Sequence, residues 1–441
     1  MKLTTYLVIA IQFIVGMAHA QVNSLSPYTR YALGDLQLSS STQLQSMGHA
    51  FATYAEPFVI NSDNPASYAL AQKPVFDVGF KNAFLSYSNN NVTQTARGAS
   101  LTGFRFLFPL KANKIGLSFG ITPFSQSGYF ISNTVNDPNI GDITYEYEGS
   151  GGINKVYLGV GAKVLGNDTL NVFVGANGMY LFGASSKIRR AILPTGNNNF
   201  NVSSINTLNI SDVSAEGSVM VNWQPAKHKK TKYSFGTMVA LGGDINGKQS
   251  ELNRTYKETT FGTQSFKDTL SFVDQGKGSV NLPVRITTGA SVMVNNKLFV
   301  GVNYSVADWS VYTETFNDKA VKYNELKSSS AISIGAEYTP QKVRLLSNQF
   351  WKSVNYRVGL RTEKNQLSIN NDQLTVQAVS AGLGLPLLRS KSLTTFNIGA
   401  EVGTRKGNSA NLVNENFVNI YLGMTFVPNK IDRWFVKRKY D

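Results

Sequence analysis

The chain has 441 residues, 42% of them hydrophobic, with 42 Lys and Arg against 27 Asp and Glu, a formal net charge of +15 and no cysteine. Such a length can bury a large core, and the lack of cysteine removes disulfides, thiol nucleophiles and thiolate metal ligands. The hydrophobic fraction is ordinary for a soluble protein, so any dealing with a membrane has to be read from pattern rather than from composition.

The chain opens with Lys2, an apolar stretch from Tyr6 to Met17 and the small-x-small site Ala18-His19-Ala20, which reads as a cleaved export signal over 1–20. Export takes nucleic acid away as a partner for the positive charge and leaves outer-membrane lipid and lipopolysaccharide in its place. The basic residues are dispersed, apart from Lys227-His228-Lys229-Lys230 and Lys437-Arg438-Lys439, as an ordinary charged surface would have them. No later stretch approaches the roughly 18 consecutive apolar residues of a spanning helix, so any span must be made of strands. Residues 21–73 are rich in Ser, Ala, Tyr and Pro without sustained alternation. They read as a hatch or plug inside a barrel, or as a periplasmic appendage.

From about Val75 the chain repeats alternating stretches separated by polar breaks, the pattern of a transmembrane barrel. Fourteen strands are expected, over 75–88, 98–110, 113–132, 153–165, 168–184, 212–225, 231–248, 282–295, 297–313, 327–340, 352–366, 374–387, 391–406 and 414–428. Near the end Phe396, Ile398, Ala400 and Val402 share one face and Asn397, Gly399, Glu401 and Gly403 the other. The same division sets Val156, Leu158 and Val160 against Lys155, Tyr157 and Gly159, and Val418, Ile420, Leu422 and Met424 against Asn419, Tyr421 and Gly423. Tight turns at Lys111-Ala112-Asn113, Gly166-Asn167-Asp168 and Asn295-Asn296 alternate with long loops expected at 133–152, 185–211 and 249–281. Short turns belong to the periplasmic side and long connections to the outside. Trp223, Trp309, Trp351 and Trp434 fall at strand ends or in the tail, where an interfacial girdle would put them. Residues 429–441 follow as a basic, aromatic periplasmic tail.

Catalysis needs converging acids, bases or nucleophiles, and beyond the signal only His49 and His228 remain, one in the plug segment and one in a basic turn. No metal spacing or phosphate loop appears, and Gly149-Ser150-Gly151-Gly152 reads as an external loop. A non-enzyme without a cofactor is the expectation. The expected lumen face carries Phe173, Met179, Leu181, Met293 and Phe299, unusual in a water-filled pore and suited to an apolar ligand path. It also carries Arg285, Arg357 and Arg361 with Glu216, Glu337 and Glu401. The arginines would either hold a ligand carboxylate or, more often, pair with the wall glutamates.

Several segments resemble the long-chain fatty acid transporter (FadL/TodX) family. Asn64-Pro65-Ala66 before the first strand looks like its hatch motif, and Leu282-Pro283, Gly289 and Asp308-Trp309 look like its central repeat. Ser26-Pro27-Tyr28-Thr29-Arg30-Tyr31 with Gly34-Asp35, Thr122-Pro123-Phe124-Ser125, Tyr356-Arg357-Val358-Gly359 and Trp434 to Lys439 resemble its branch in Bacteroidota. The resemblance implies a monomeric, all-β, fourteen-stranded barrel in the outer membrane of a Gram-negative bacterium, corked by an N-terminal hatch. It would pass hydrophobic small molecules, fatty-acid-like or aromatic, through a wall gap made by a kink in the third strand. That strand carries Gly120, Pro123 and Gly128. Pro123, which cannot donate a ladder hydrogen bond, either interrupts pairing within the strand or simply ends it. The other reading makes the barrel a PorV-like docking partner in a secretion system.

Overall fold

The computed structural model describes residues 26–37, 41–89, 92–194, 199–226, 230–258, 264–341, 350–387, 393–409 and 412–428. The signal sequence, Lys227 to Lys229 with His228, and the tail with Trp434 lie outside the described residues. Fourteen antiparallel spans form the wall. They are β1 (Val75–Asn89), β2 (Val92–Lys111), β3 (Ile115–Asp137), β4 (Gly141–Gly166), β5 (Leu170–Ile192), β6 (Asn201–Trp223) and β7 (Thr231–Ala240 continuing as Gly243–Glu258). Then come β8 (Gln264–Leu282 continuing as Arg285–Val294), β9 (Leu298–Asp308 continuing as Thr313–Phe316), β10 (Lys319–Lys322 continuing as Ser328–Tyr338), β11 (Asn355–Ile369), β12 (Asp372–Pro386), β13 (Thr395–Lys406) and β14 (Asn414–Phe426). β14 pairs back onto β1 from Asn414↔Ser88 to Phe426↔Phe76, which closes the cylinder.

The turns follow from residue chemistry. Asn295 and Asn296 both have φ of 54°, and Asn370 and Asn371 have φ of 53° and 64°. Two successive left-handed residues make the mirror-image turn that matches strand twist, and asparagine tolerates it best among residues with a side chain.

The long breaks are the main correction to the expected elements. Residues 133–152, 185–211 and 249–281 are for the most part strand, extending β3 to β8 into tall hairpins beyond the membrane. Gly149 to Gly152 are likewise part of β4 and not a loop. Only their tips face water on both sides; lower down Leu208, Ile210 and Val280 are buried on the inward face, a sparse alternation that is easily missed. Their ladders continue all the same, as from Gly128↔Ser150 to Asp137↔Gly141.

In the membrane zone the alternation is as expected. Val156, Leu158, Val160, Val402, Val418, Ile420 and Leu422 are exposed on the outside, while Lys155, Tyr157, Asn397, Glu401, Asn419 and Tyr421 are buried on the inside. A wall closed by strand pairing, with an apolar outer belt, satisfies its backbone within itself nearly throughout, and it makes this chain an outer-membrane β-barrel. The tryptophans are less uniform. Trp223 and Trp351 are exposed, but Trp309 is buried in an interior cluster with Tyr312 and Leu326, so it belongs to no girdle.

The segment ahead of β1 touches the inner side of the wall on nearly every strand. A side chain at Gly116 would overlap the Tyr68 carbonyl, one at Gly161 or Gly175 would overlap Pro65, and one at Gly335 or Gly359 would overlap Met47 or Gly48. Glycines on the inner face thus let two backbones approach within contact distance. Higher up, Tyr28, Ala32 and Leu33 pack with Ile153, Leu181, Leu208 and Trp309.

Candidate functional site

The site grows from the β2–β3 seam. β2 and β3 pair only from Phe104↔Ile121 to Lys111↔Ile115. Above that level no ladder joins residues 92–103 to 122–137 among the described residues. Pro123 sits at the divergence, paired with Asn154 on β4 and followed by a register irregularity before Ser125. Lacking an N–H, it donates no ladder hydrogen bond. Because β3 runs on to Asp137, Pro123 interrupts the pairing and does not end the strand. Gly120 lies just below, where a side chain would overlap the Phe104 carbonyl and the Tyr157 ring.

The freed edge of β3 is taken up by the N-terminal segment. Asp35 and Leu36 pair with Gln126 and Ser125, and the Gln37 N–H donates to the Phe124 carbonyl at 2.9 Å. Gly128 donates to Thr29 Oγ1 at 3.1 Å, and the Thr29 hydroxyl lies 3.1 Å from the Gly128 carbonyl. Arg405 fixes this cover from across the barrel. It lies 3.2 Å from Asp35 and 3.6 Å from Glu415, and Glu415 accepts a 2.7 Å hydrogen bond from Ser26.

Behind the cover lies a cavity of about 240 Å³. Gly98, Leu101, Thr102 and Pro123 border it at the gap, and Leu36, Phe51, Leu85, Trp309 and Phe417 give it apolar surface. Charged side chains line it as well: Lys81, Arg285, Arg361 and Arg405 with Asp35, Glu363, Glu401 and Glu415. Most are paired, as Arg361 is to Glu363 and Glu401 at 2.9 and 3.0 Å.

The structure divides the residues singled out from sequence. Asn64 caps the 3-10 helix Pro65–Leu70, accepting from Ala66 N–H at 3.1 Å and donating to the Ala52 carbonyl at 2.8 Å. Ala66 N–H also donates to Ser218 on β6 at 2.8 Å, so this motif docks the segment to the wall. Phe173, Met179, Leu181, Met293 and Phe299 do point inward, but none borders the cavity. They pack against other interior groups, Phe299 edge-on to Tyr54 at 5.0 Å and Phe173 beside Ala66 and Ala69. Arg285 borders the cavity, whereas Arg357 is buried on Glu337 at 2.7 Å and Asn397 at 2.9 Å, out of reach of a ligand there. Glu216 accepts from Asn177 at 2.7 Å. Lys81, Arg405 and Glu415 were not picked out from sequence, although strand parity places all three inside, and Asp35 was noted only as part of a motif. Among the described residues no three His, Asp or Glu side chains gather as a metal site.

A closed outer-membrane barrel with an interior N-terminal segment and an interrupted ladder in one seam is the class that fold and site define. The family model described as BamG matches residues 2–441, and the chain belongs to that family. Comparison with curated proteins finds no match. Among solved structures the fold is similar to the toluene transporter TodX of Pseudomonas putida, at 13% identity and a TM-score of 0.54, covering 93% of this chain and 100% of that one. A FadL homologue from Pseudomonas aeruginosa gives 12% identity, a TM-score of 0.53 and coverage of 89% and 99%. The Ralstonia pickettii toluene transporter TbuX gives 16%, 0.50, 88% and 98%.

Proposed function

We propose that this protein passes small hydrophobic molecules across the outer membrane, taking them into the interior cavity and releasing them sideways through the β2–β3 gap. The interrupted ladder above Phe104↔Ile121, with a cavity directly behind it, carries this reading. A side exit lets an apolar molecule leave into lipid without crossing water, which apolar surface disfavours at about 25 cal/mol per Å². The roles of TodX and TbuX as toluene transporters on the same fold support it. In this reading residues 26–37 are the moving part of the hatch, held shut by Arg405 on Asp35, while Asn64-Pro65-Ala66 anchors the rest.

The chain has no native cysteine, so a Leu36→Cys, Ser125→Cys pair tests the gate cleanly. The two residues are direct cross-strand partners, within disulfide reach. Uptake of a hydrophobic fluorophore into vesicles holding the purified protein should fall when the pair is oxidised and recover on reduction. Equal uptake in both states would rule out this gate.

One observation favours a docking role as a second reading: Phe266, Leu270 and Phe272 stand exposed on the tall β7–β8 hairpin. Stoichiometric co-purification with a secreted protein, lost on Phe272→Ser, would select it.

A further inference from the structure

The outer wall carries a feature that transport does not use. From β10 through β14 and on to β1 and β2, the outward faces of seven neighbouring strands border a concavity of about 900 Å³. Its floor is one cross-strand row, Ile334, Leu360, Val379, Val402, Val418 and Phe84, ending at Arg97. The next row towards the hairpin end starts at Ile332 on β10 and is polar from there on: Thr362, Gln377, Thr404, Asn416, Ser86 and Thr95. One row higher, Lys364, Thr375 and Lys406 are side by side. No acidic residue occupies an outward position in these three rows.

We propose that this face holds a phosphorylated, multiply acylated lipid of the outer leaflet, its chains in the concavity and its phosphates on Arg97, Lys364 and Lys406. Depth supports the assignment. Each row rises about 5 Å at ordinary strand tilt, so the lysines stand about 10 Å above the last apolar row, at headgroup level. Spacing supports it too, since Lys364 and Lys406 are two strands apart, about 10 Å, which suits separated phosphates better than one ion. Arg97 is held with its guanidinium 5.6 Å from the Phe84 ring centroid, a cation–π contact that aims it across the top of the apolar row. All three cations are exposed, and the same side of the wall presents Val379 and Val402 at 58% and 56% exposure. Anion and acyl chain are therefore read together. A phosphate without chains gains only the rim, and a neutral lipid only the floor.

The test uses the full chain in phosphatidylcholine nanodiscs doped with bisphosphorylated hexa-acyl lipid A, with retained lipid counted by native mass spectrometry. Wild type should retain the phosphorylated lipid in preference to its dephosphorylated form. Each cation removed should weaken retention about five-fold, so R97Q/K364Q/K406Q should abolish the preference. A control triple at the opposite end, K111Q/K114Q/K297Q, should leave it intact. Val379→Trp, which fills the concavity with a residue that interfaces tolerate, should lower retention of the acylated lipid while leaving the heat-modifiable folded band unchanged. Equal retention of the dephosphorylated lipid, an unaffected R97Q/K364Q/K406Q variant, or full displacement by free pyrophosphate would each overturn the proposal.

Discussion

At the scale of single residues, the interior is governed by close approach and by buried charge. Gly359 is the sharpest case of the first, because a methyl group there meets Gly48 N and the Met47 backbone and not a side chain that could swing away. Gly359→Ala should therefore cost about 1–3 kcal/mol of docking energy for the N-terminal segment. Proteolysis of that segment in detergent reports it, with faster cleavage expected. Buried charge is handled by pairing: Arg105, fully buried, lies 3.1 Å from Asp77 and donates to the Thr102 carbonyl at 2.7 Å. His49 carries a pH signature of its own. Burial pushes its pKa down to about 4, outweighing Glu401 and Asp63, which raise it, while Arg361 and Lys81 add to the fall. Below the unfolded value near 6.5 the unfolded segment binds a proton that the docked one refuses, so docking stability rises with pH in that window. The contribution is complete above about pH 6.5 and disappears as pH falls towards 4, on the order of 3 kcal/mol in all. His49 has φ of 62°, a conformation that asparagine accepts. His49→Asn should flatten the pH dependence of segment proteolysis between pH 7 and 4, and an unchanged slope would assign it to other groups.

Among elements, the β2–β3 seam has the shortest ladder on the wall bordering the gap. Its lower part is reinforced from the lipid side. Phe106 and Phe119 stack across it at 4.8 Å, Phe108 and Phe119 at 5.9 Å, and Phe76 meets Phe106 edge-on at 5.1 Å. Lipid offers as much apolar contact as an interior does, so the gain here lies in ring geometry, about 0.5–1.5 kcal/mol per pair. Phe119→Ala should lower the temperature at which the folded band converts on gel electrophoresis. It should also raise leakage of a hydrophobic dye, since the gap then has a weaker floor. The same change at a seam with full pairing should do neither. This part of the site was legible in sequence as Gly120, Pro123 and Gly128 in one strand, with a wall gap there only as what the family resemblance implies. What pairs with the freed edge, Asp35 and Leu36, lies about ninety residues earlier in the chain, and no local pattern announces that contact.

For the whole molecule, the outer belt sets where the barrel sits. On β14 the outward residues Val418, Ile420, Leu422, Met424 and Phe426 form an apolar stripe with Leu422 at its centre. Leu422→Arg should cost about 2–4 kcal/mol of folding energy in a bilayer, and Val418→Arg, near the edge, about 0–1 kcal/mol. Reversible unfolding into denaturant from vesicles measures both. Equal costs would mean that the belt is placed at the wrong height.

The sequence by itself determined the membrane part: period two, turn asparagines and alternating loop lengths are local signals, and each strand must carry its own lipid-facing and inward-facing rows. The division of Phe396, Ile398 and Val402 from Asn397, Gly399 and Glu401 was readable for that reason. Only the tertiary structure decided the rest. The tall hairpins carry only sparse inward apolar residues, Leu208, Ile210 and Val280 among them, whose partners lie in the N-terminal segment, so backbone pairing does most to make them strands. Phe173, Met293 and Phe299 were visible as inward apolar residues, but whether they meet a ligand or the N-terminal segment depends on what occupies the bore. The charged cavity and the rim of Arg97, Lys364 and Lys406 are sums over strands far apart in the chain, brought together by register and closure.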